Sequence, residues 1–269
     1  MKNILYIIGV IITIASCSKE KSILPIEKYA DVSFSVGVDN QTFGTKATSS
    51  MPKNCDIRYI IEARRIGDDS LSYRGIETSK DMTKSVDLKF RLIEGAYNFL
   101  IWADYVEEDG QGDKHYDTDS EDGLMAVTII NPSYTANDDS RDCFAARVVD
   151  KQIEGDFNLG SLSIKRPMAK LVFKDSNTTT LVLNPTLNVE FTTTIPSGYN
   201  VLEDKVLTTR TITPNYPSIA DAEIVGFDYL FVADSVLHDI TITVDGNAKS
   251  ISDVLMERNK TTNIITEFK

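Results

Sequence analysis

Acids, bases, nucleophiles and metal ligands do chemistry only at set spacings, and one stretch of this 269-residue chain comes near such a spacing. Asp117-Thr118-Asp119-Ser120-Glu121-Asp122-Gly123 places oxygen ligands at alternate positions, as a calcium loop does. Its glycine stands one place late, and Thr128 occupies the position of the closing bidentate glutamate. An EF-hand is therefore excluded, and the run reads as solvated acidity. His115 and His238 are the only histidines, and neither belongs to an HExxH pattern or to a histidine-cysteine cluster of zinc-binding spacing. There is no GxSxG elbow and no phosphate-cradling P-loop. No metal or cofactor is expected, and the chain reads as non-catalytic. A hydrolase would require paired carboxylates, or His115 in a deep cleft.

Two other residue types invite a function. Trp102, the single tryptophan, lies in the apolar run Leu100-Ile101-Trp102-Ala103-Asp104-Tyr105. Exposed beside Tyr97 or Tyr105 it would form a sugar-binding shelf, whereas a lone tryptophan in an apolar strand belongs to a core. Cysteine is the second type. Met1-Lys2-Asn3, the apolar run Ile4 to Ile14 and the small residues Ala15-Ser16 precede Cys17, giving a basic start, a short greasy middle and a cut site. Residues 1–16 read as a signal peptide, because about twenty apolar residues are needed to span a bilayer and this run is shorter. Ile14-Ala15-Ser16-Cys17 resembles a lipobox, so Cys17 is expected to carry lipid and to hold the mature protein on the outer membrane. Cys55 and Cys143 then remain, either paired or, the preferred reading, as small buried thiols.

The formal charge is -12, and loss of Lys2 with the signal makes it -13, which repels phosphate backbones and excludes nucleic acid as a partner. Hydrophobic residues at 42% and charged residues at 25% suit a folded chain, and the mature length suits two domains of about 110 residues each. Residues 17–29 form a polar tether. From Ala30 onward the signal is period two. Val32, Phe34, Val36 and Val38 alternate with small or polar residues, and Ile57, Tyr59, Ile61 and Ala63 repeat the spacing. Val86 to Leu92 and Tyr97 to Ile101, joined at Glu94-Gly95, predict a hairpin. Later strands are expected over 124–130, 161–164, 169–174, 187–193, 206–212, 224–232, 240–244 and 261–268. This pattern predicts an all-β fold of two antiparallel sandwiches, over 30–157 and 158–269. The interval Glu107 to Gly123, with eight acidic residues among seventeen, is expected as a surface loop.

Four phrases carry a family resemblance: Thr45-Lys46-Ala47, Phe99 to Tyr105, Arg141-Asp142-Cys143-Phe144, and Lys165-Arg166-Pro167-Met168-Ala169-Lys170-Leu171. A fainter one is Glu257 to Thr262. In that order they resemble the fimbrillin-like lipoproteins of Bacteroidetes, over residues 30–269. The charged stretch after Cys17 resembles the surface-export signal of such lipoproteins, with fewer acidic residues. The resemblance implies two tandem transthyretin-like β-sandwich domains and a structural or adhesive part in pilus assembly or anchoring. It also implies other pilus subunits as partners, through strand exchange. Ala30 to Val38 or Thr261 to Phe268 is then the donor, and Lys46-Ala47 the processing site. Polymerising fimbrillins are cut after an arginine, yet no arginine precedes Arg58, and lysine is read differently from arginine by a protease. The alternative is a glycan-binding surface lipoprotein of a nutrient-uptake system.

Overall fold

The computed structural model describes residues 27–39, 51–176, 185–219 and 223–267. The signal peptide, Cys17 with most of the tether, and Lys46 and Ala47 lie outside the described residues. Among the described residues, seventeen strands make five sheets. The first sheet has the order β4 (Val86–Ile93), β1 (Tyr29–Val38), β9 (Phe157–Ile164). It faces a second, of order β3 (Leu71–Ser79), β2 (Cys55–Arg65), β5 (Gly95–Glu107), β8 (Cys143–Ile153). Their inward side chains, among them Val32, Phe34, Phe90, Ile57, Tyr59 and Phe99, form one core. Alternation along β1, β2 and β4 produces this packing, because successive side chains leave a strand on opposite faces.

The C-terminal half builds a second core between the sheets β14 (Ile224–Phe231), β10 (Met168–Asp175), β17 (Thr261–Thr266) and β11 (Leu187–Phe191), β15 (Ser235–Val244), β16 (Asn247–Glu257). A fifth sheet interlocks the halves: β13 (Lys205–Leu207) and β12 (Gly198–Asn200) pair with β7 (Val127–Ile129) and β6 (Tyr116–Asp117). Ile60, Leu100 and Trp102, on the back of the second sheet, belong to this second core.

Several expectations are corrected. Val86–Ile93 and Gly95–Glu107 form no hairpin: β4 pairs with β1 and β5 with β2 and β8, so the chain crosses between facing sheets at Glu94. A single linking residue is too short for the two-residue turn that a hairpin needs. The sheets are not wholly antiparallel, since β1 runs parallel to β9 and β10 parallel to β17. The division at 157/158 falls at the start of β9, which belongs beside β1. The strands of the second core's own sheets begin only after Ile164, at Met168, while residues 116–136 and the back of the second sheet, with Ile60, Leu100, Trp102, Cys143 and Ala145, contribute to that core ahead of it. The acidic interval is not all surface, because Tyr116 and Thr118 within it are buried. Strand character over 206–212 stops at Leu207, and 124–130 is a short 3-10 turn followed by β7.

Candidate strand-exchange site

β1 is held on both sides. Eight residues from Tyr29 to Val36 align antiparallel with Ile93 to Val86, and Val32 to Val38 align parallel with Phe157 to Ile164 across a bulge at Ser33/Ser35. Its ends are tied by Glu94 N–H donating to Lys28 O at 2.8 Å and Asp39 N–H to Ile164 O at 3.0 Å. Ala30, Val32, Phe34 and Val36 are buried, and the Phe34 ring meets Phe90 and Phe99 edge-on at 6.0 and 6.3 Å. Burying the three larger side chains contributes on the order of 4 to 9 kcal/mol. Removing β1 would leave a slot whose two rims, β4 and β9, present unpaired backbone N–H and C=O groups, a geometry only another extended strand satisfies.

The other candidate donor, β17, is bound differently. It makes one ladder, with β10, at the edge of its sheet. Only Ile264 is buried, and Ile265 is 64% exposed. One buried isoleucine contributes roughly 2 kcal/mol. β17 is thus the more weakly held of the two strands, and β1 the one whose removal would expose two rims rather than one.

Around this pair several buried carboxylates are pinned by arginines and tyrosines. Arg58 donates from Nε and Nη2 to Asp104 at 2.9 and 2.7 Å, and its Nη2 lies 2.9 Å from Asp113, which fastens the acidic interval to the second sheet. Burial pushes the Asp104 carboxyl up, against the pull of Arg58. Glu62 accepts from Arg64 Nε at 2.7 Å, from Arg74, and from Leu124 N–H at 3.2 Å. Gly123, the late glycine of the apparent calcium loop, has φ +53 and lies against Glu62, where a Cβ would collide. It is there for a left-handed turn over a buried carboxylate. Asp228 accepts from Tyr134 and Tyr216 at 2.8 and 3.1 Å, and burial pushes its pKa up to about 6; Asp142, paired with Arg166, rises to about 6 for the same reason.

His115 does not make a catalytic relay. Its Nε2 is 2.7 Å from Ser140 Oγ and 3.5 Å from Asp138 Oδ2, and Ser140 Oγ donates to Asp138 Oδ1. In a relay the carboxylate holds the opposite ring nitrogen, whereas here all three groups meet at one. Burial, with Arg141 next, lowers the His115 pKa to about 4. Trp102, Tyr97 and Tyr105 are buried, so the sugar shelf conceived from Trp102 is not formed. Cys55 and Cys143 are both free and buried. Among the described residues, no three His, Cys, Asp or Glu side chains are placed to hold a metal ion, and no helix is long and apolar enough to cross a membrane.

Residues 25–268 match the family of unknown function DUF6562. The chain belongs to that family. No curated protein matches the DUF6562 chain by sequence. The fimbrial anchor protein Mfa2 from Porphyromonas gingivalis is similar in structure, with a TM-score of 0.53 at 11% identity over 88% of this chain and 91% of that one. A candidate adhesin from Bacteroides ovatus gives a TM-score of 0.52 at 11% identity, over 91% and 90%. The DUF6562 chain therefore shares its all-β fold with fimbrial and adhesin-type proteins of Bacteroidetes.

Proposed function

We propose that this protein is a non-catalytic cell-surface lipoprotein, held to the outer membrane through lipid on Cys17, that takes a structural or adhesive part in pilus assembly or anchoring. In this reading its two cores are the tandem transthyretin-like domains, and its partners are other pilus subunits. The observation that carries the reading is the position of β1, which is central in its sheet, deeply packed, and joined to the rest of the chain through the segment that holds Lys46 and Ala47. Cleavage after Lys46 followed by strand release would leave an acceptor slot open to a neighbour's strand. A retained β1 would keep the slot closed and make the protein an anchor or a standalone surface subunit. The shared fold with a fimbrial anchor protein supports the same class of role.

Mass spectrometry of the protein taken from the native outer membrane tests this. An acylated Cys17 terminus is expected for an anchor, and a start at Ala47 for a polymerising subunit. A mature terminus at neither place, without acylation, would overturn the reading.

A further inference from the structure

We infer that the cleft at the root of β1 is a binding site for a carboxylate-bearing sugar ring, of the uronic acid class. The cleft encloses about 370 Å³ and is lined by Tyr29, Arg65, Asp68, Ser70, Arg91 and Tyr97, among others. That volume falls within the range of about 300 to 1,000 Å³ usual for small-ligand sites. In a chain of charge -12, two guanidinium groups here make no ion pair with another described residue. Each rests on an aromatic ring instead. The Arg91 guanidinium carbon is 5.1 Å from the Tyr29 ring centre, and that of Arg65 is 5.8 Å from the Tyr97 ring, with Arg65 Nη2 donating to Tyr97 OH at 3.5 Å. Tyr97 is fixed in turn, its hydroxyl donating to Ile93 O at 2.7 Å.

Arg91 keeps its planar donor fork for an anion, and Arg65, although its Nη2 donates to Tyr97 and the Asp68 and Glu27 carboxylates act on it, keeps its remaining N–H donors; a carboxylate matches such a fork bidentately. The other lining groups exclude a bare anion as the preferred ligand. Asp68, whose Oδ1 accepts from Ser70 N–H at 3.0 Å, would repel an anion placed against it but accept hydrogen bonds from hydroxyls. Ser70 and Ser72 add hydroxyl donors and acceptors. Tyr29 is 48% exposed; its hydroxyl donates to Glu27 Oε2 at 3.0 Å, which adds a second carboxylate acceptor for hydroxyls, and the ring face opposite Arg91 is offered to the apolar side of a pyranose. A ligand that is anionic at one point, hydroxylated around the rest and flat on one face satisfies all of these groups together. Trp102 is not involved, so this site is separate from the aromatic shelf that its sequence context suggested. Tyr29 belongs to β1, so loss of that strand would remove one wall of the cleft.

This inference rests on the adhesive part of the proposed role, but it is measured on the isolated mature chain, so its failure would leave the strand-exchange reading untouched. The experiment is calorimetric or ligand-detected NMR titration of the full chain from Ser18 with glucuronate, glucose and acetate. Glucuronate is expected to bind at least tenfold more tightly than glucose or acetate. Arg65→Gln and Arg91→Gln, both exposed positions, are expected to lower glucuronate affinity about tenfold each, a charge-assisted hydrogen bond apiece, without moving the thermal midpoint. Tyr29→Ala should weaken it as well. Acetate or inorganic phosphate binding as tightly as glucuronate would overturn the sugar assignment. Absence of glucuronate binding, or binding unaffected by both arginine substitutions, would overturn the site.

Discussion

Phe34→Ala is the substitution that probes the β1 slot most sharply. Phe34 is 3% exposed and its ring is seated edge-on against Phe90 and Phe99, between a strand paired antiparallel on one side and parallel on the other. Truncating a buried phenylalanine costs about 3 to 5 kcal/mol, because the transfer free energy is lost and the neighbouring strands cannot collapse into the space. The neighbour Ser35 points outward and hydrogen-bonds to Asp87 on the surface, so Ser35→Ala should cost no more than about 1 kcal/mol. The assay is urea unfolding of the mature chain, together with amide hydrogen exchange. At about 2 to 4 °C per kcal/mol for a protein of this size, Phe34→Ala should also lower Tm by roughly 6 to 20 °C. Exchange should quicken in β4 and β9, whose backbone groups β1 covers, and stay unchanged in β15 and β16, which pair elsewhere. Equal costs for the two substitutions, or exchange that quickens uniformly, would mean that β1 is not held by a packed slot of its own.

Other expectations can be checked with the same material. Glu62→Leu leaves Arg64 and Arg74 without their buried carboxylate and should cost about 3 to 5 kcal/mol in urea unfolding, whereas Asp119→Asn, which removes an exposed partner of Arg74, should cost under about 1 kcal/mol. His115, neutral in the fold down to about pH 4 but protonated below about 6.5 when unfolded, stabilises the protein above pH 6.5. That contribution is lost as pH falls towards 4, about 2 kcal/mol of it by pH 5. His115→Asn should therefore destabilise less than the parent between pH 7 and 5, even though Asp142 and Asp228, with pKa values raised to about 6, act in the opposite sense in that window. Trp102, alone and buried, should give blue-shifted fluorescence that iodide does not quench until the protein unfolds.

The sequence made β1, β2, β4 and β5 of the first core legible because their inward faces alternate cleanly. The second faces were harder. Arg58, Ile60, Glu62 and Arg64 look like the solvent side of β2, yet they are buried, since residues 107–126 and the second core close over them and supply Asp113, Tyr116 and Leu124. Charge in the pattern concealed a covered face, and nothing local announces a distant cover. β3 and β16 escaped notice because no residue of β3 is fully buried and in β16 only Val254 and Met256 are, too short an alternation to mark a strand, and β16 also carries Asp253 at positive φ. The parallel partners of β1 and β10 come from far along the chain, and period-two patterns carry no direction. Of the strand-exchange candidates, Ala30 to Val38 and Thr261 to Phe268 were visible as terminal strands. Their unequal attachment was not visible, because it depends on how many neighbours each strand has rather than on its own residues.

The proposed role requires that β1 fill a slot which another strand can fill. Its most direct test is a chain beginning at Met51, mixed with a synthetic peptide of residues 27–39 and followed by calorimetry and hydrogen exchange. Saturable one-to-one capture of the peptide, restored protection in β4 and β9, and no capture by the intact chain are expected. A chain from Met51 that is as protected and as stable as the intact protein and takes up no peptide would contradict it.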